Sequence, residues 1–263
     1  MKILQIIFFM VSGCFGVKIK NIFLPDVVEE GENPVILECP FSFNDDEKLS
    51  LELNWFFGSS PEPFFKVSPG NVNNKPQIFG GIWQQKIDLN FTLNKGDDDH
   101  QKFQAVKIID PDVSMSGRYR CRVSSDLSDD EAEADMMIYS PLDEMRFIQR
   151  TSTVTSLVNI SCSVTGIFPL PLVKLTFGDY TLLHDQLEIS VNNASYDVFI
   201  TKMISREEML TGRVFGCEAS VPGTSYHVRQ ETTSCNCQTL EIKHRRRIWK
   251  KERKILLNNQ SKL

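Results

Sequence analysis

The sequence predicts an all-β protein built from two tandem sandwiches joined by a short linker. Three observations carry that expectation. Short runs rich in β-branched and aromatic residues recur between Gly, Pro, Asn and Asp, and several alternate apolar and polar with period two. No long run has helical periodicity. In each half, cysteines frame such runs at an interval suited to one small domain, 82 residues from Cys39 to Cys121 and 55 from Cys162 to Cys217.

The chain opens with a leader. Lys2 precedes an apolar run from Ile3 to Val11 that only Gln5 interrupts, and Ser12 to Gly16 place small residues where a signal peptidase reads. This layout predicts cleavage before Val17, with residues 1–16 as a signal peptide. The apolar run is far short of the roughly 20 residues that span a bilayer. No other stretch is apolar enough to span, and no lipid-anchor signal is recognisable at the C-terminus. The mature chain is therefore expected to be secreted and extracellular. The seven cysteines fit an oxidising compartment, and six remain once Cys14 leaves with the leader.

Residues 17–140 form the first expected unit. Strand-like runs are Val35 to Cys39, Leu51 to Phe57, Ile87 to Thr92 and Gly117 to Val123. Cys39 is followed 16 residues later by Trp55, and Tyr119 stands two residues before Cys121. This is the Cys…Trp…Tyr-x-Cys pattern of an immunoglobulin domain. In that pattern the cysteines bridge two facing sheets, the indole packs on the bridge, and the Tyr hydroxyl ties its corner to upstream backbone. The long interval suits a variable-type domain with extra strands. Met115 departs from the pattern, since many relatives carry Asp there and make a corner salt bridge.

Ser140-Pro141-Leu142-Asp143 marks the boundary, and residues 141–232 form a second, constant-type-like unit. Val158 to Cys162 and Gly212 to Cys217 read as its cysteine-bearing strands. No Trp follows Cys162, so the equivalent core place falls to Leu175 or Phe177, and Phe215 replaces the corner tyrosine. Closing loops of these lengths is worth about 4–5 kcal/mol per disulfide on the chain-entropy model. Residues 233–263 read as a Cys-x-Cys segment and a basic, disordered tail.

A finer resemblance rests on Leu53-Asn54-Trp55-Phe56-Phe57, Pro63-Phe64-Phe65, Ile87-Asp88-Leu89, Gly117 to Cys121, and Cys162 through Pro171. Together these look like the secreted two-domain proteins of arthropods related to beaten path. That resemblance implies heterophilic recognition of a cell-surface immunoglobulin receptor of the Sidestep group, in adhesion and axon guidance.

The net charge of −5 divides into about +7 from Glu241 to the end and about −12 elsewhere. An acidic body with a basic tail does not fit a nucleic-acid-binding fold. Catalysis is not expected. The four histidines have no metal-ligand spacing, and neither a nucleophile elbow nor a phosphate-cradling loop is present. Asp97-Asp98-Asp99-His100 lacks the alternating ligands and Gly of a calcium loop and reads as a solvated acidic turn. No cofactor or metal is implied.

Binding is the better-supported class. If Leu53, Trp55 and Phe57 point inward, Phe56 points out. By the same alternation Tyr119, Cys121 and Val123 point inward and leave Arg118, Arg120 and Arg122 outward. Phe56 then lies near a row of arginines, with Phe64 and Phe65 on the next strand or its turn. These residue types are enriched at interface hot spots, so the six are expected to contact a partner; the alternative is that Phe64 or Phe65 is core and the arginines are merely solvated or stacked.

Four sequons, at Asn90, Asn159, Asn193 and Asn259, are N-glycosylation sites on the same reading. Cys235 and Cys237 are too close for an unstrained bridge to each other; an intermolecular disulfide, and hence a covalent dimer, stands beside that option. The run from Lys243 to Lys254 reads either as a solvated extension, as a site for sulfated glycans or anionic surfaces, or as a segment removed at Lys243-His244-Arg245-Arg246. The expected function is a secreted recognition ligand for an immunoglobulin-type receptor. The alternative is a soluble immune-type protein that binds microbial or glycan surfaces.

Overall fold

A computed structural model describes residues 16–32, 34–69, 75–93, 103–152, 154–209 and 213–233. The leader up to residue 15, Asp97 to His100, Cys235, Cys237, Asn259 and the basic tail lie outside these residues. The fold is all-β, and a 3-10 turn at Val113–Met115 and one helical turn at Arg206–Met209 are the other regular elements among the described residues.

The first sandwich begins with β1 (Lys18–Ile19), β2 (Val27–Glu29), β3 (Val35–Glu38) and β4 (Phe41–Ser42). It continues with β5 (Glu52–Phe57), β6 (Phe65–Val67), β7 (Gln77–Ile78) and β8 (Ala105–Ile108). It ends with β9 (Gly117–Ser124) and β10 (Asp129–Tyr139). One sheet runs β2-β10-β9-β5-β6-β7, with β2 parallel to β10. The facing layer consists of two short ladders, β1-β4 and β3-β8, with single bridges at Phe23–Glu38 and Ile87–Ile108.

Period-two alternation explains what this sheet buries. Leu53 and Trp55 on β5, and Tyr119, Cys121 and Val123 on β9, are each wholly inaccessible. Trp55 sits directly opposite Cys121 in the β5–β9 register, and Cys121 is bonded to Cys39 with Cα atoms 6.5 Å apart. The indole and the disulfide therefore share one core layer. An aromatic cluster extends that core: Trp83 stacks on Phe64 at 4.1 Å, meets Phe57 at 5.3 Å, and lies 6.3 Å from Tyr119. Gly117 admits the Phe57 ring, because a Cβ there would stand 3.2 Å from two ring carbons. Met115 is fully buried, so apolar volume stands where relatives place a corner salt bridge.

One expected strand is not formed. Ile87 makes only its single bridge, and the chain then turns, with the Asn90 amide donating to the Asp88 carboxylate at 3.1 Å. Asp side chains compete with ladder bonding in this way, and Asp88 is also held by Lys107 at 3.1 Å.

The second sandwich contains β11 (Glu144–Thr151), β12 (Leu157–Ile167), β13 (Leu172–Phe177) and β14 (Tyr180–Leu182). It is completed by β15 (Gln186–Asn192), β16 (Ser195–Ser205), β17 (Val214–Ser220) and β18 (His227–Thr233). Two antiparallel four-stranded sheets result, β11-β12-β16-β15 and β14-β13-β17-β18, bridged by Cys162–Cys217 with Cα atoms 6.1 Å apart. Leu175 lies opposite Cys217 and is 1% exposed, so it takes the place that Trp55 has in the first unit. Phe215 is buried and stacks on half-buried Phe177 at 4.6 Å. The chain divides into two compact units, and the second takes in Val27–Gly31 and Asp112–Ser116 as well as the described chain from Met137 onward.

Candidate recognition face

The outer face of the six-stranded sheet is organised in columns. On β9, Arg118 and Arg122 are exposed and Arg120 is half-buried. On β5, Phe56 lies opposite Arg120, whose guanidinium sits over the Phe56 ring at 4.7 Å. The Arg120 Nε is buried, and no hydrogen-bond acceptor among the described residues reaches it. The ring face is thus its principal partner, an arrangement stronger when partly desolvated.

The neighbouring column on β10 is acidic, a feature absent from the sequence-based expectation. Asp129, Glu131, Glu133 and Asp135 alternate with Asp130, Ala132 and Ala134, so their side chains fall on the arginine side. Arg118 pairs with Glu133 at 3.0 Å and Asp135 at 3.1 Å, and Arg122 pairs with Asp129 at 3.0 Å. The hydrogen bond that Arg118 donates to Asp135, then the charge of that carboxylate, raises the Arg118 guanidinium above its ordinary pKa. Beyond β5, Lys66 on β6 bonds Glu52 at 2.8 Å. The signal was legible as acids at every second position from 129 to 135, but only strand pairing places them beside the arginines.

Phe64 and Phe65 are corrected from contact residues to core residues, 3% and 4% exposed. Phe65 lies on β6 opposite inward-facing Trp55. Phe64 precedes the strand, donates its amide to the Trp55 carbonyl at 2.8 Å, and is covered by Trp83 from the turn after β7. Trp83 is 4% exposed and was not anticipated, because it stands in a Gly-rich turn with no periodic context. The part of the expected site that reaches the surface is therefore exposed Arg118 and Arg122 with half-buried Phe56 and Arg120.

A buried polar cluster lies elsewhere in the first unit. Glu47, in the turn between β4 and β5, is 1% exposed. Its carboxylate accepts from Ser125 Oγ at 2.8 Å, from the Asn44 amide at 3.0 Å, and from Ser128 Oγ. The Ser128 bond, followed by the Asn44 amide, holds Glu47 below the usual carboxylate range against the opposing effect of burial.

The sequon asparagines differ in setting. Asn90 is exposed, and Asn193 is exposed with φ 47° in the β15–β16 turn. Asn159 is half-buried, its side-chain oxygen accepting from Thr201 Oγ1. Among the described residues no three His, Cys, Asp or Glu gather as a metal site would require.

No protein-family model matches the chain, and no curated protein matches it. Solved structures do. Bovine butyrophilin aligns with TM-score 0.63 and 17% identity, over 81% of this chain and 94% of that one. Rst D1-D2 aligns at 0.52 and 13%, over 82% and 97%. The extracellular portion of mouse CD200RLa aligns at 0.50 and 13%, over 78% and 95%. These likenesses establish the fold, two immunoglobulin-like sandwiches, each with its own disulfide.

Proposed function

We propose that the protein is a secreted recognition ligand whose first sandwich binds an immunoglobulin-type domain of a cell-surface receptor. The observation that carries this reading is the Phe56–Arg120 pair on the outer face of the six-stranded sheet, framed by charged columns. Aromatics and Arg are the residue types on which interface energy concentrates, inside a polar rim. Two disulfides fit an extracellular setting, as does likeness to the extracellular portion of CD200RLa. The resemblance to beaten-path proteins narrows the receptor to a Sidestep-like one and the process to adhesion and axon guidance.

The test is a binding screen of the secreted protein against immunoglobulin-domain receptors, followed by the double variant Phe56→Ala/Arg120→Ala. A salt-tolerant hit that the double variant weakens at least about 30-fold, roughly 2 kcal/mol, with the melting curve retained, supports the reading. Unchanged affinity removes this face. Retention on heparin or microbial surfaces, lost when residues 243–263 are deleted and steeply salt-dependent, favours the glycan-binding alternative.

A further inference from the structure

Glu47 is a buried carboxylate whose hydrogen-bond donors are all neutral. A charge withdrawn from water is costly unless a counter-charge meets it. No Lys, Arg or His among the described residues forms an ion pair with it. The backbone nitrogen of Val17 is at the site: it donates to Ser128 Oγ at 2.7 Å, and that hydroxyl in turn donates to the Glu47 carboxylate. Gly16 lies against the same groups. A Cβ at that position would collide with the Ser128 side chain and stand 3.6 Å from Glu47 Oε1.

We propose that Glu47 and Ser128 form a receptor for the α-ammonium group of Val17, which exists only after the leader is removed. The inference rests on reading residues 1–16 as a signal peptide. Hydrolysis of the Gly16–Val17 peptide bond places the hydroxyl of water on the Gly16 carbonyl carbon and its proton on the Val17 nitrogen. A second proton from solvent completes the ammonium. A neutral amide donor is thereby replaced by a cation beside a buried anion, and the space occupied by Gly16 is freed for its additional N–H groups.

The segment is already seated to present that group. Val17 and Ile19 are 5% and 7% exposed, the Ile19 amide donates to Asp130 at 2.9 Å, and the Lys20 amide donates to the Pro40 carbonyl at 2.9 Å. Little ordering entropy remains to be lost when the amine docks. The receptor also joins two turns. Glu47 belongs to the one before β5, Ser125 and Ser128 belong to the one between β9 and β10, and the Asp126 amide donates to Ser50 Oγ across them at 3.1 Å. Their tips carry Leu49 and Leu127, 84% and 67% exposed. Leader removal thus adds a charged tie to two turns that are already bonded to each other and that offer these side chains to solvent.

The test compares two chains released from a fusion partner, one beginning at Val17 and one at Gly16, each with Glu47 or Glu47→Gln. The Val17 chain is expected to melt about 5 °C higher near pH 7, and the difference should vanish in the Glu47→Gln pair. An amine whose pKa is raised on folding contributes fully below its unfolded value of about 8, and the advantage is lost as pH rises through the folded value. The Val17 amine in the folded chain should also react with an acylating ester several-fold more slowly than the Gly16 amine. Equal melting temperatures from pH 6 to 10, with equal acylation rates, would overturn the proposal. N-terminal sequencing of the naturally secreted chain tests the leader separately: a first residue other than Val17 refutes that cleavage reading, while the two-chain comparison still decides the receptor.

Discussion

The two sandwiches solve the same closure problem with different materials. The second uses long ladders, with β12 and β16 each 11 residues, and an aliphatic core around Leu175, Ile160, Ile200 and Val164. The first has one well-formed sheet facing two fragmentary ladders, and compensates with side chains: Trp55, the cluster of Phe57, Phe64, Trp83 and Tyr119, and the bonds around Glu47. Backbone pairing is insensitive to residue identity, whereas side-chain ties are not. A unit held by specific side chains keeps its loops positioned although one of its layers lacks long strands, but single substitutions should injure it more.

The largest expected contrast lies in the cores. Trp55→Ala should remove about 3–5 kcal/mol from the unfolding of the first unit, and Leu175→Ala about 2–4 kcal/mol from that of the second. Denaturant titration followed by tryptophan fluorescence and far-UV dichroism should show each variant moving a different transition. If both move one shared transition, the units do not respond separately and the contrast fails.

Acid should divide the units next. Glu47 is held below the usual carboxylate range, so its contribution is present above the unfolded pKa of about 4.3 and lost as pH falls through the folded value. The first unit should lose stability on acidification in the wild type and lose less in Glu47→Gln, measured by melting at stepped pH. An identical acid profile in the two proteins would remove Glu47 from the comparison.

The smallest effect is expected on β15. Leu187, Ile189 and Val191 alternate along this edge strand and are 48%, 48% and 64% exposed, although Ile200 and Val198 opposite them are buried. Ile189→Thr should change stability by no more than about 0.5 kcal/mol. A loss several times larger would show that the edge contributes to the second core after all.

Much of this was legible in the residues. Cys39, Trp55, Tyr119 and Cys121 identify a sandwich because each must stand at a fixed place around one bridge, and period two sorts their neighbours by face. What escaped depends on which strand lies beside which. The acids of β10 meet the arginines of β9 only through a hairpin register, and Phe64 is buried because Trp83 folds over it from the turn after β7 and Tyr119 meets it edge-on. Ile87 to Thr92 has the composition of a strand, yet Asp88 bends the chain by bonding its own neighbour. Glu47 carried no local signal, since nothing near it in sequence shows that Ser125 and Ser128 will surround it.

The paired columns on the outer sheet face also bear on how quickly a partner is found. Where guanidinium and carboxylate groups stand about 3 Å apart, as Arg118 does with Glu133 and Asp135, their fields largely cancel beyond a Debye length of about 8 Å. An approaching molecule is then drawn in little by these pairs themselves, which leaves the net negative charge of the body as the long-range field. On the proposed reading of this face, discrimination between partners would fall to how long each stays, set by the half-buried Phe56–Arg120 pair.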